Sequence, residues 1–400
     1  MRLSHVLKNA KVTATVGPLV YGLLQAVTLA TISQFGRADD LGLFLLAQAV
    51  ATPAGLLLGL RLRDQLSTAS ETARAGPYVG RQLRLAAGSM LVGAFGWSIA
   101  SGIGEDQPLF VVGVTVLGAN FAQAICWTVQ GQMLADARFP LVSLIDVVLG
   151  LTSLLSVFVG YQIFGSLEAS TVLLLCSWSL VATAIVVRFA KGSLLSPSPT
   201  TLLSDLALGA SSMAAVGQIS VGRLGTSALL GNAALARVGT GSFMVRSALP
   251  VVRGILRVNA EALGRAARSD TDEYAQVERR IVQRSVWFVL LTSAPAAALG
   301  YAVGPGLIGL AFDDSSVASA ATFSWLVGSS PALFGSMAMS QVLVARSDSR
   351  GALLLSLGAL LCTGISVWPL SSNFGEAGAA ASIAFGYAAR LAIGAWRIRR

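Results

Sequence analysis

Apolar runs of about twenty residues recur along nearly the whole chain, separated by short polar gaps. They cover 12–34, 41–60, 82–103, 108–132, 140–164, 169–190, 204–230, 238–258, 284–309, 317–344, 351–370 and 377–396. At 1.5 Å rise per residue, roughly twenty residues match a hydrocarbon core about 30 Å thick. Lipid offers the backbone no hydrogen-bonding partner, so each run is predicted to be helical. The pattern predicts an all-α integral membrane protein of about twelve transmembrane helices. The even number puts both termini on one side.

The gaps alternate in charge. One set holds Arg61, Arg63, Arg74, Arg81 and Arg84, then Arg138, Arg188 and Lys191, then the arginines from Arg253 to Arg284, then Arg346 and Arg350. The other set is short and acidic, with Asp39, Asp40, Glu105, Asp106, Glu168, Asp313, Asp314 and Glu376 against Arg37 and Arg237. Cytoplasmic loops collect Lys and Arg, which predicts a multi-pass, inner-membrane-type protein with both termini in the cytoplasm. The acidic pairs Asp39/Asp40 and Asp313/Asp314 read as solvated loop charge in external turns.

A shift of 197 residues superposes Gly42 and Pro53 on Gly239 and Pro250. Both segments carry a mid-helix proline and end in arginines, Arg61/Arg63 and Arg253/Arg257. The stretch KGSLLSPSPTTLLSD (Lys191–Asp205) reads as a linker. Two six-helix lobes, 1–195 and 196–400, are expected to be related by a pseudo-twofold along the membrane normal and to enclose a central cavity.

Composition supports this reading. Of the 400 residues only 12% are charged and 54% are hydrophobic, so a soluble domain could not cover its exterior. The net charge of +9 follows from the loop asymmetry, and nucleic-acid binding is not expected. Cys126, Cys176 and Cys362 all lie in apolar runs, which argues against a disulfide framework. The sole histidine, His5, lies in the N-terminal tail, so neither a zinc site nor a Ser/His/Asp constellation can be assembled. No enzyme is expected, and no cofactor. The basic start followed by an apolar run resembles a signal peptide, but the run is long and lacks a small-x-small cleavage site, so it reads as a retained first helix.

Charged residues inside the apolar runs are the candidates for chemistry. They are Asp146, Arg223, Arg246 and Arg390. A charge at the centre of a membrane helix costs roughly 2.5–3.5 kcal/mol on insertion scales, so such groups face a wet cavity or one another. Arg223 lies deepest and is the leading candidate to line a substrate cavity, followed by Arg246. Arg390 reads as a structural pair or as snorkelling. For Asp146 a buried structural partner and a role in proton or ion coupling are both open. Polar stripes at helical spacing reinforce the idea of a hydrated interior: Gln25, Thr28, Thr31 and Gln34 in helix one, Asn120, Gln123, Thr128 and Gln130 in helix four, and Gln218 in helix seven. Pro53 and Pro250 each remove a backbone hydrogen bond at matching depths, which suggests a pair of hinges. The seven tryptophans read as an interfacial belt, and the GxxxG pairs Gly55/Gly59 and Gly300/Gly304 as close helix contacts.

The segment GRADDLGLFLLAQAVATPAGLLLGLRLRDQLST (Gly36–Thr68) resembles the second-helix region of bacterial polysaccharide exporters, the O-antigen flippase-like family. That family belongs to the multidrug/oligosaccharidyl-lipid/polysaccharide (MOP) superfamily. The resemblance implies two six-helix lobes around a cavity. It also implies movement of undecaprenyl-diphosphate-linked oligosaccharide, an O-antigen, capsule or exopolysaccharide repeat unit, to the periplasmic leaflet by alternating access. Arg61 and Arg63 match the family's motif. Arg223 and Arg246 would join them on the diphosphate, since guanidinium forks suit phosphate oxygens. Gln25, Asn120, Gln123 and Gln218 would pass the sugars. A polysaccharide polymerase and a chain-length regulator are the implied partners besides the bilayer, and coupling to an H⁺ or Na⁺ gradient is open. The alternative is a cation-coupled small-molecule antiporter of the multidrug and toxin extrusion (MATE) type, for which Asp146 is the available embedded carboxylate.

Overall fold

The computed structural model describes residues 10–59, 75–85, 107–136, 138–196, 202–247, 271–346 and 348–399. Among them the chain forms α1 (Ala10–Phe35), α2 (Ala38–Gly59), α3 (75–85), α4 (Gln107–Ala135), α5 (Phe139–Val159), α6 (Leu167–Phe189), α7 (Leu202–Leu230), α8 (Asn232–Ser247), α9 (Thr271–Gly309), α10 (Ala320–Ala345) and α11 (Ser349–Arg399). Positive φ at Gly375 (57°) breaks α11 into α11a before it and α11b after it, which restores the two runs expected there. Six spans among the described residues are long and apolar enough to cross a membrane. No strand occurs among the described residues. The fold is an all-α polytopic bundle.

The helices show on their surfaces what the solvent is. On α5, Leu144, Leu151, Leu155 and Phe158 form one exposed stripe, and on α1 Val16, Leu19, Leu23 and Val27 form another. Such stripes are unfavourable in water and expected against acyl chains. Hydroxyls in these helices bond back to their own turn, as Thr28 Oγ1 does to Leu24 O and Thr31 Oγ1 to Val27 O, each at 2.8 Å. This removes the cost of an unsatisfied hydroxyl in hydrocarbon.

Two compact units divide the chain, Met1–Met213 and Ala214–Arg400. In the first, α4 is the central helix and packs on α2, α5 and α6, while α1 docks on α5. Gly17 backs onto Ser143, and Gly150 leaves room for the Leu24 side chain. In the second, α10 is central and packs on α8, α9 and α11. There α7 docks on α11a through Gly217 against Leu360 and Gly225 against Val367. The first helix of each unit therefore meets the fifth through glycines, and the second meets the fourth. The two units thus share one pattern of helix contacts.

The Gly300/Gly304 pair makes the close contact its spacing predicts. The fully buried ring of Phe323 from α10 lies against Gly304 of α9, and Val327 against Gly300. Gly55 and Gly59 have side-chain surroundings outside the described residues.

The turn between α4 and α5 and the turn between α10 and α11 share their backbone bonds. The Asp136 and Arg138 amides donate to Gln132 O (2.9 Å) and Met133 O (2.8 Å); those of Arg346 and Asp348 donate to Val342 O (3.0 Å) and Leu343 O (2.9 Å). Charges at matching positions are reversed. Asp136 accepts from Lys191 Nζ at 2.8 Å. Arg346 instead grips Glu278 with two bonds of 2.8 and 2.6 Å, and Arg397 grips Asp348 with bonds of 2.8 and 3.3 Å.

Gaps of one charge class meet at one end of each unit. In the second unit Arg237 of α8 donates to Glu376 Oε1 at 2.6 Å and to Ser315 O at 3.3 Å, joining three gaps of the acidic set. In the first, Tyr161 donates to Asp40 Oδ2 at 3.3 Å. Asp39, Asp313 and Asp314 are exposed, as the solvated-turn reading expects, while Asp40 is half-buried. Asp39 and Asp40 lie in the first turn of α2, where a carboxylate favours the helix dipole, and Asp40 also accepts from the Arg37 amide. Asp313 caps a short 3₁₀ turn by accepting from the amide and hydroxyl of Ser315. Those bonds hold its carboxyl below the usual carboxylate range.

Candidate functional site

The polar positions of α4 fall on two faces, because residues seven apart return to the same side of a helix after about two turns. Gln123 and Gln130 share one of them. Gln123 Nε2 donates to the Tyr21 hydroxyl of α1 at 2.5 Å, and Gln130 Nε2 donates to Asp146 Oδ1 of α5 at 2.8 Å and to Val142 O at 3.3 Å. Asp146 is 5% exposed and lies seven residues into α5. A carboxylate at such a place is tolerated only with hydrogen-bond donors around it. Thr128 and Gln132 occupy the other face. Thr128 donates to Gln82 Oε1 of α3 at 3.0 Å. Gln132 accepts from the Ala75 amide (2.8 Å) and the Lys191 amide (3.1 Å) and donates to Phe189 O (3.1 Å).

The second unit has the opposite interior polarity. Its buried charged side chains among the described residues are Arg223 in α7, Arg390 in α11b and Glu278, the last held by Arg346 at the arginine-rich end. Arg223 is 4% exposed and Arg390 8%, and each is engaged with its surroundings. Five residues before Arg223, Gln218 donates from Nε2 to Ile383 O of α11b at 3.1 Å. Its amide and the Thr363 hydroxyl of α11a converge on Gly386, where any side chain would overlap both. Gln218 and Thr363 are fully buried. Among the described residues neither Gln218 Oε1 nor Thr363 Oγ1 has a hydrogen-bond partner.

The candidate residues thus divide between the units. Gln25, Asn120, Gln123 and Asp146 belong to the first, and Gln218 and Arg223 to the second. Asn120 bonds to its own helix at Val116 O (2.9 Å), and Gln25 is half-buried, with no partner for Nε2 among the described residues. Pro53 lies inside α2. Arg246 lies in α8, with its side chain outside the described residues; Arg61, Arg63 and Pro250 are outside them altogether. Tyr21, Thr363 and Gly386 were not singled out by sequence. Tyr21 had a signal, since it precedes Gln25 by one turn and extends the polar stripe of helix one.

The tryptophan belt needs one correction. Trp287, Trp325, Trp368 and Trp396 are well exposed, but Trp178 is 4% exposed inside the first unit. Its indole N–H donates to Leu149 O at 3.1 Å, which meets the need of a buried indole.

Searched against known families, the chain matches no family model, and no curated protein matches it. Solved structures do resemble it over essentially its full length. A MOP superfamily transporter from Pyrococcus furiosus is 14% identical, with a TM-score of 0.63 over 100% of this chain and 97% of that one. A mutant of the Vibrio cholerae MATE transporter VcmN is 18% identical, with a TM-score of 0.64 over 99% and 95%. An outward-facing multidrug resistance MATE transporter is 15% identical, with a TM-score of 0.65 over 98% and 95%. The fold is that of the MATE transporters of the MOP superfamily.

Proposed function

We propose that this protein is a transporter of an anionic, lipid-linked substrate. It carries undecaprenyl-diphosphate-linked oligosaccharide from the cytoplasmic to the periplasmic leaflet of the bacterial inner membrane by alternating access. The observation that carries this reading is the two buried arginines of the second unit, Arg223 and Arg390, while the one buried carboxylate among that unit's described residues, Glu278, is already held by Arg346. Guanidinium is costly in hydrocarbon and forms strong forked bonds with phosphate oxygens. The resemblance of Gly36–Thr68 to polysaccharide exporters supports the same substrate class. The Pyrococcus furiosus neighbour is described as having a binding pocket of reverse polarity that suggests a different function, so the fold accommodates more than one pocket polarity.

The test is a deletion strain assayed for glycan-loaded undecaprenyl diphosphate, which should accumulate facing the cytoplasm. Complementation with Arg223→Ala should leave membrane expression intact and abolish surface glycan, and Arg223→Lys should restore part of it. Unchanged lipid-linked glycan in the deletion strain would overturn the reading.

A second reading, cation-coupled export of small molecules, is supported by the MATE structures and by Asp146 beside Gln130. It predicts drug efflux by the wild type that Asp146→Asn loses.

A further inference from the structure

One face of the second unit carries a feature that the transport reading does not use. A groove of about 400 Å³ runs between α9 and α11b over the α10 residue Ala332. Its walls are apolar, with Val286 and Val289 on α9 and the small residues Ala388, Ala392 and Ala395 on α11b. Trp396 and Arg399 close one end. These α11b positions recur every three or four residues, so they form a single stripe along the helix.

From Ala388 to Arg399 the stripe extends about 16 Å, roughly half of a 30 Å hydrocarbon core. The groove therefore has the depth of one leaflet. Its Trp and Arg lie at the end where an interfacial anchor belongs.

Positive charge gathers at that end. Arg279 lies seven residues before Val286, two turns along the same face of α9. Glu278 and Arg397 are bound by Arg346 and Asp348 of one turn, which brings the neighbouring Arg279 and Arg399 to the same end of the unit. Arg279, Arg280, Arg284 and Arg399 are exposed and form no ion pair among the described residues. Nearby Glu278 and Asp348 are already taken by Arg346 and Arg397.

We infer that the groove binds one anionic glycerophospholipid. One acyl chain lies along the alanine stripe of α11b, and the phosphate is held by Arg279 and Arg399 beside Trp396. A chain of one leaflet's depth suits a phospholipid better than a polyprenyl chain several times longer. The inference is independent of the transported substrate.

The full-length protein, purified in detergent, is titrated with phosphatidylglycerol and with phosphatidylcholine of the same acyl chains, and bound lipid is counted by native mass spectrometry. Phosphatidylglycerol has a net negative headgroup and phosphatidylcholine a neutral one, so two arginines there predict a preference of about thirtyfold for phosphatidylglycerol. Arg279→Gln with Arg399→Gln should bring the two lipids close to parity. Ala392→Trp, which fills the groove, should weaken both. Equal binding of both lipids by the wild type would overturn the inference, as would undiminished binding by Ala392→Trp. Displacement of phosphatidylglycerol by equimolar undecaprenyl phosphate would assign the groove to the polyprenyl chain and also overturn it. The two glutamine changes are at exposed positions, so they decide the matter even if Ala392→Trp does not fold.

Discussion

The Gln130 amide spans from α4 to α5 and donates to Asp146 at 2.8 Å, deep within the first unit. The bond joins the one buried carboxylate of that unit's described residues to a neutral partner. Gln130→Leu takes a donor from a buried acid, a loss of about 1–3 kcal/mol. Thermal unfolding of the purified protein should show a clearly lowered midpoint. Asp146→Asn keeps an acceptor for Gln130 and should unfold close to the wild-type temperature. It should also retain surface glycan if lipid-linked oligosaccharide is the substrate. Correct folding with lost transport would favour cation-coupled exchange.

At Gly386 three helices of the second unit meet through polar groups. A Cβ there would overlap the Thr363 hydroxyl and the Gln218 amide. Gly386→Val should destabilise by about 1–3 kcal/mol, the usual range for overpacking. Pairing it with Thr363→Ala should recover part of the loss, because the hydroxyl is one of the two obstructions. Thermal midpoints of the single and double variants give the coupling directly.

Trp178→Phe removes the indole N–H that meets Leu149 O and leaves the ring volume largely filled. The expected cost is about 1 kcal/mol for the hydrogen bond, with a smaller term for the lost ring atoms. The same change at Trp287, which is 62% exposed, should leave the midpoint unchanged. Equal effects at both positions would mean that the Trp178 bond contributes nothing.

Acid should loosen the α10–α11 turn. The Arg397 guanidinium, and after it the Gly351 amide, hold the Asp348 carboxyl below its usual range. A depressed folded-state pKa means that the stabilisation is whole above the ordinary carboxylate value of about 4 and is lost as pH falls through the folded-state value. The wild-type midpoint should therefore drop from pH 5 toward pH 3 more steeply than that of Asp348→Asn. Parallel curves would show that the pair is too well solvated to matter.

The helices were legible because a membrane leaves little choice: a long apolar run without backbone partners must coil on itself. The split of α11 was legible too, since the polar gap around Gly375 interrupts two apolar runs. What escaped the sequence depends on partners distant along the chain. Trp178 reads as interfacial by residue type and becomes interior only because Leu149 O lies opposite. Asp40 reads as loop charge until Tyr161, 121 residues on, supplies a hydroxyl. Gln218 was visible as a lone amide in an apolar helix, whereas its acceptor on Ile383, 165 residues away, was not. Reversal of charge between the two α-helical turns was invisible for a similar reason, because alternation counts charge per gap and ignores order within it.

Gln132 ties the entry of α3 to the exit of α6, through the amides of Ala75 and Lys191 and the carbonyl of Phe189. During synthesis the chain emerges from its N-terminus onward. The α3 amide that waits on Gln132 finds it some sixty residues later (57 positions on), and the clasp cannot close until position 191 has been translated. The clasp is thus closed only by residues at the end of α6 and just after it, so a nascent fragment ending before α6 should stay open to insertase or protease.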